Sequence, residues 1–186
     1  MKALKDLNLP NKLTVLRVFL VPLMAGLCYL PGAAGSWAPG IVFALAALTD
    51  YLDGRIARSR GLITDFGKFL DPVADKVLVL AAFVMLVRTG QMPAWAAVLV
   101  LARELAVDGL RLAAVRKGSV IAAGWLGKVK TCSQMALILL LFFTGWKVTE
   151  HWYTIVLCAW VCIITLWSGV DYFVKNRNAL EEESAP

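Results

Sequence analysis

Six apolar stretches alternate with short polar joints along the chain, over residues 13–30, 37–58, 71–88, 93–117, 126–146 and 152–174. A helix needs about 20 mostly apolar residues to cross a bilayer, and each stretch approaches that length. Pro31-Gly32, Gly35, Thr89-Gly90 and Gly145 punctuate the joints. The pattern predicts an all-α integral membrane protein with six transmembrane helices. No repeat and no long linker interrupts it, so residues 1–178 read as one membrane domain. Residues 179–186, with Glu181, Glu182 and Glu183, read as an acidic solvated tail. Leu4, Leu7 and Leu9, interleaved with Lys2 and Lys5, suggest a short interfacial segment over residues 1–11. It is not a cleavable signal, because Arg17 and Pro22 interrupt the apolar run behind it.

The stretches differ in kind. The sixth holds 19 uncharged residues between His151 and Asp171, the third only 11 between Lys76 and Arg88, and the fourth 14 between Arg88 and Arg103. The short runs continue into charged residues at helical spacing. An ionised carboxylate facing lipid is expensive, so such residues usually face a wet cavity or one another. Helices two, three and four are therefore expected to line a polar cavity open to the cytoplasm.

Composition agrees with a bilayer. Of 186 residues 60% are hydrophobic and 17% charged, against about 45–50% and about 25% in soluble domains. The composition disfavours a soluble globular fold and excludes intrinsic disorder. The net charge is +6, and no exposed module gathers the basic residues into a nucleic-acid patch. Instead 17 of the 19 Lys and Arg residues fall on one side of the predicted bundle, and only Arg88 and Lys147 fall on the other. By the positive-inside rule both termini are cytoplasmic. Cys28, Cys132, Cys158 and Cys162 lie in apolar stretches with no CxxC, so neither a disulfide framework nor a zinc site is implied. Trp95, Trp125, Trp146 and Trp152 fall near span ends as interfacial anchors. Pro22 reads as a helix kink.

Candidate chemistry concentrates between Thr49 and Lys76. Asp50 and Asp53 are three residues apart, about 60° around a helix, with Gly54 and Ala57 on the same face. Asp71 and Asp75 are four apart and share a face too, with Pro72 suited to a first turn. Four carboxylates at one level repel unless counter-charge is present. Oxygen-only donors select hard divalent cations, Mg²⁺ foremost where phosphate is the substrate and Mn²⁺ as an alternative. Two such ions clamp the attacking and leaving oxygens of a phosphoryl displacement. Arg58, one turn beyond Gly54, is suited to grip a phosphate with its planar fork.

The spacing D-x2-D-G-x2-A-R-x8-G-x3-D-x3-D, formed by Asp50, Asp53, Gly54, Ala57, Arg58, Gly67, Asp71 and Asp75, resembles the CDP-alcohol phosphotransferase motif at every fixed position. The resemblance implies six transmembrane helices, a homodimer, and displacement of CMP from a CDP-linked alcohol by a hydroxyl. It implies that Asp50, Asp53, Asp71 and Asp75 hold two metal ions, with Asp75 also the catalytic base. Gly54, Arg58 and Thr64 match positions that hold the CDP group, and Thr14 and Arg17 match positions flanking the nucleotide. As alternatives, Thr14 satisfies backbone and Arg17 snorkels to the surface. The stretches Leu9 to Pro22, Ala102 to Arg111 and Ala122 to Thr131 resemble a bacterial branch of that family. In that branch CDP-diacylglycerol is the donor and sn-glycerol 3-phosphate the acceptor.

The residues point to a phosphorylated acceptor independently. Arg103, Glu104, Asp108 and Arg111 fall within about 140° of one helix face, and Lys128 and Lys130 open the fifth helix. A phosphomonoester needs several cations, and Arg111, Lys128 and Lys130 are the candidates. Asp108 is an unexpected acid there, placed to pair with Arg111 or Arg103. Other acceptors, such as inositol phosphate or serine, remain open within the family. Cation transport is the rival of a different class. With no transit peptide before the first helix, the expected location is a bacterial inner membrane, with the active site on the cytoplasmic side.

Overall fold

The computed structural model describes residues 9–60, 65–116 and 124–176, except the side chains at 9, 10, 53, 54, 56–60, 65–69, 72 and 116. The described residues form six helices and no strand: α1 (Leu9–Leu27), α2 (Ala34–Arg60), α3 (Asp65–Arg88), α4 (Ala94–Arg116), α5 (Trp125–Thr144) and α6 (Trp152–Lys175). Each predicted stretch corresponds to one helix. Gly32, Gly90 and Gly145 all adopt positive φ, at 68°, 74° and 68°, the left-handed turn conformation that glycine reaches without a Cβ clash. Gly35 differs from expectation: it lies in the first turn of α2, and its missing side chain is needed because a Cβ there would overlap the Leu30 carbonyl. Leu9, Pro10 and Asn11, expected in the interfacial segment, belong to α1, and the rest of that segment lies outside the described residues. Proline fits there because first-turn N–H groups have no helical partner. Pro22 lies within α1, which continues through it. By length and composition, α5 and α6 each suffice to cross a membrane.

Packing divides the chain into two units. The first contains α1, α2 and α3 with Ile138–Lys147, and the second contains α4, α6 and the earlier part of α5. Within the first unit, α1 packs on both α2 and α3, and α2 meets α3. All three helices carry a buried stripe that is apolar at one end and polar at the other. On α1, Met24 gives way toward the N-terminus to Arg17, Thr14 and Asn11. On α2, Phe43 and Ala46 lead toward the C-terminus to half-buried Asp50. On α3, Phe83, Ala82, Leu78 and Ala74 lead back to Asp75 and Asp71. Steps of three and four residues keep each polar group on its helix's buried face.

The first unit therefore has two chemically distinct ends. At the far end the Arg88 guanidinium donates to the Cys28 carbonyl at 3.2 Å and lies 3.6 Å over the Tyr29 ring. Ser36 Oγ donates to the Phe142 carbonyl at 2.6 Å, and the Gln91 amide to the Leu141 carbonyl. From Thr14 to Leu27, α1 covers about 20 Å at 1.5 Å per residue.

In the second unit α4 packs on α6. The buried positions of α4 are Ala96, Val100, Val107, Leu110 and Ala114, with Glu104 set among them. The facing stripe of α6 includes Cys158, Cys162, Thr165, Ser168, Gly169 and Tyr172. Tyr172, Val107 and Leu110 form a cluster capped by Phe173. Cys158 and Cys162 are buried free thiols, as their reading as small apolar residues requires, and Cys162 Sγ lies 3.8 Å from the Ala96 carbonyl. A Cβ on Gly169 would stand 3.1 Å from Arg103 Cγ, so the glycine lets that side chain lie against α6.

Candidate active site

The polar end of the first unit brings together residues from three helices. Asp50, near the end of α2, forms a 2.7 Å ion pair with Arg17 of α1, whose side chain is fully buried. Thr14, one turn earlier on the same face, donates its hydroxyl to Asp71 Oδ1 on α3 at 2.5 Å. Asp50 and Asp71 are close enough to feel one another's charge. Asp75 follows Asp71 by one turn and is half-buried. Three of the four predicted acids thus line the buried faces of two adjoining helices. The side chains of Asp53, Gly54 and Arg58, and all of Thr64, lie outside the described residues.

The donor set suits a hard dication, because every candidate ligand is a carboxylate. Among the described residues no three acids, histidines or cysteines stand together as a metal cage; Asp53, the remaining predicted ligand, is outside them. Arg17 and Thr14 take up only part of the acids' capacity, since a carboxylate offers about four acceptor positions.

Arg17 and Thr14 both point into the acid cluster. Arg17 does not snorkel: its exposure is 0%, and a guanidinium so placed needs its counter-ion. The Thr14 hydroxyl serves a carboxylate on a neighbouring helix.

In the second unit the expected acceptor cations separate. Lys130 is buried and its ammonium lies 2.5 Å from Glu104 Oε1. Lys128 is exposed, because two residues along a helix amount to about 200° of rotation. Arg111 is half-buried, with Nε 3.4 Å from the Tyr172 hydroxyl and its guanidinium 5.8 Å from that ring's centre. Arg103 donates to Ser168 Oγ at 2.9 Å and lies 3.3 Å from Glu104 Oε1, while its buried Nε makes no hydrogen bond. Gln134 extends the polar row by donating to Thr165 at 3.3 Å. Arg103 and Glu104 as a buried pair were missed as functional candidates. The signal was present, because both continue the step of three and four residues that joins Val100 to Val107.

At the far end of the first unit, a cavity of about 300 Å³ is lined by Cys28, Ser36, Thr89, Gln91 and Lys147 among others. Arg88 donates to the carbonyl of one of those lining residues, Cys28. The two basic residues assigned to the side opposite the acids thus both sit at the end of the unit away from them.

The comparisons with known proteins bear on the motif and on the chain around it. The model of the CDP-alcohol phosphatidyltransferase family matches residues 7–167. The CDP-diacylglycerol–glycerol-3-phosphate 3-phosphatidyltransferase of Bacillus subtilis is 40% identical over 189 aligned positions, covering 94% of this chain and 97% of that protein. The protein of the same description from Salmonella choleraesuis is 38% identical, covering 95% and 98%. A probable phosphatidylglycerophosphate synthase of Mycobacterium tuberculosis H37Rv is 41% identical, covering 90% and 81%. A match from the first helix into the sixth, around a motif whose described acids meet on adjoining helices, places this chain in the CDP-alcohol phosphatidyltransferase family of enzymes.

Proposed function

We propose that the chain transfers the phosphatidyl group of CDP-diacylglycerol to the 1-hydroxyl of sn-glycerol 3-phosphate, releasing CMP. The observation that carries this reading is near-full-length similarity to relatives named for that reaction, at about 40% identity. The hydroxyl oxygen of the acceptor bonds to the lipid-side phosphorus, and the bond from that phosphorus to the CMP oxygen breaks. Asp75 accepts the hydroxyl proton, and CMP leaves with the electron pair.

The family is generally dependent on a divalent metal. Asp50, Asp53, Asp71 and Asp75 are the residues that would hold two Mg²⁺ or Mn²⁺ ions. Such ions neutralise charge on a departing phosphate. The protein's own groups do the rest. Gly54 leaves room for the nucleotide to approach the backbone, Arg58 and Thr64 help hold the CDP group, and Arg111 receives the acceptor phosphate.

The membrane reading is supported by where the large apolar side chains point. On α6, Val156, Trp160, Ile163, Trp167, Val170 and Val174 form an exposed row at steps of four and three. Exposed apolar surface of this kind matches lipid. Trp95, Trp125 and Trp152 are exposed in the first turns of their helices, where interfacial anchors belong. The proposed arrangement is one six-span domain in a bacterial inner membrane, working as a homodimer. Both termini and the acid cluster face the cytoplasm, and Arg88 and Lys147 face outward.

Purified protein is supplied with CDP-diacylglycerol, Mg²⁺ and one acceptor at a time, and CMP is measured. CMP release with glycerol 3-phosphate and not with inositol phosphate or serine is expected. Release with another acceptor alone reassigns the substrate. Cation flux into vesicles without CMP release replaces the enzyme reading with a transporter.

A further inference from the structure

We propose that Arg17 is the resident counter-charge of the acid cluster: its guanidinium holds Asp50 in place while no metal is bound, and it sets how strongly the cluster attracts a divalent cation. The inference rests on the proposed metal-binding role of Asp50. It differs from the expectation that Arg17 flanks the nucleotide, and it arises from a contact between helices that the motif does not contain.

Three observations carry it. Arg17 is fully buried, so its charge has no water to lean on. Its partner at 2.7 Å is Asp50, a predicted metal ligand that itself retains 36% exposure. The same face of α1 sends Thr14 to Asp71 on the other acidic helix, so α1 contacts both carboxylate-bearing helices. Asp50 and Asp71 are like charges that repel each other. A cation placed beside Asp50 offsets that repulsion without solvent. The pair is recorded at Oδ1 of Asp50, and a carboxylate has a second oxygen to offer.

The consequence has a definite sign. Arg17 carries a positive charge next to the site where a dication would sit, so it stabilises the metal-free protein and weakens metal binding. Removing the charge while keeping a polar side chain leaves the acids unbalanced. The metal-free protein then becomes less stable, and a divalent ion is drawn in more tightly. Because a ligand stabilises the state that binds it, the rise in Tm on adding metal should be larger in the variant than in the natural protein.

The test uses the whole protein in detergent. Mn²⁺ affinity is measured by electron paramagnetic resonance, and Tm is recorded with and without Mg²⁺, for the natural chain, R17Q, R17K and R17Q combined with D50N. R17Q should bind Mn²⁺ about fivefold more tightly and gain more Tm from Mg²⁺, while R17K should match the natural chain. If the natural chain shows no metal-dependent change at all, the metal reading of Asp50 fails. If it shows one and R17Q shows the same or a weaker one, the counter-charge proposal fails while the metal reading stands. If R17Q cannot be recovered folded, the double variant decides: recovery when both charges are removed supports the proposal, and loss of both overturns it in favour of a packing role.

Discussion

The Lys130 ammonium lies 2.5 Å from Glu104 Oε1, and both side chains are about nine-tenths buried. Arg103 approaches the same oxygen at 3.3 Å, so one carboxylate serves two cations. The trio carries a net charge of +1, from Arg103 and Lys130 against Glu104. A buried pair contributes little relative to a well-packed apolar replacement, but breaking it by deleting one partner costs about 3–5 kcal/mol. Glu104→Ala should therefore lower Tm by about 10 °C, read by scanning calorimetry in detergent. Glu104→Met combined with Lys130→Met should recover only part of that loss, because Arg103 keeps Ser168 but loses its carboxylate. A small effect of Glu104→Ala would mean that the pair is exchanged for water and carries no structural weight.

The hydroxyl of Thr14 yields a second expectation. Its bond to Asp71 is to a charged acceptor, worth about 1.5–3 kcal/mol. Thr14→Val keeps the shape and removes the donor. If Thr14 orients Asp71, the Mg²⁺ concentration for half-maximal CMP release should rise at least about threefold, with the KM for CDP-diacylglycerol unchanged. Thr14→Ser should restore it. A rise confined to the KM for CDP-diacylglycerol would return Thr14 to the nucleotide.

The helices were legible because their signals are local. Apolar runs of membrane length, bounded by Gly32, Gly90 and Gly145, located all six. The acid spacing was legible for the same reason, since Asp71 and Asp75 share a face by periodicity alone. Partners across helices were not. Nothing in the local pattern of α1 says that Arg17 turns inward to Asp50 and not outward along the surface, because a long basic side chain is compatible with both. Glu104 was visible as a polar break in the stripe of α4, but its choice of Lys130 depends on how α5 is placed. Lys128 and Lys130 read together as a basic pair, although helical rotation sends one to solvent and one inward.

Asp75 is the proposed base, and Asp75→Asn is nearly isosteric. The variant should keep its Tm within a few degrees while CMP release falls by about 10²–10⁴-fold, the range ascribed to positioned acid–base groups. The comparison is made at saturating substrates, so that a binding change does not mimic a chemical one. Substantial retained turnover would remove Asp75 from the proton's path.

Arg111 separates donor from acceptor. Its contacts are the Tyr172 hydroxyl and ring, which leave most of its five donors unused by Tyr172. Arg111→Ala should raise the KM for glycerol 3-phosphate about tenfold, with that for CDP-diacylglycerol unchanged. Tyr172→Phe, which removes only the hydroxyl contact, should have a smaller effect on the same constant. A change in the donor's KM alone would move the acceptor phosphate away from Arg111.

Topology makes the last expectation. Lys147 is exposed and lines the far-end cavity of the first unit, whereas Lys175 closes α6 and is exposed beside Asp171, at 2.8 Å. With all four native cysteines replaced, Lys147→Cys and Lys175→Cys place one thiol at each proposed membrane side. Cys132 needs replacement most, because it is the exposed thiol among the four. In intact cells a membrane-impermeant maleimide should label Lys147→Cys and leave Lys175→Cys unlabelled, and both should react once the membrane is opened. The reverse pattern would turn the acid cluster outward, away from the cytoplasmic glycerol 3-phosphate that the proposed reaction consumes.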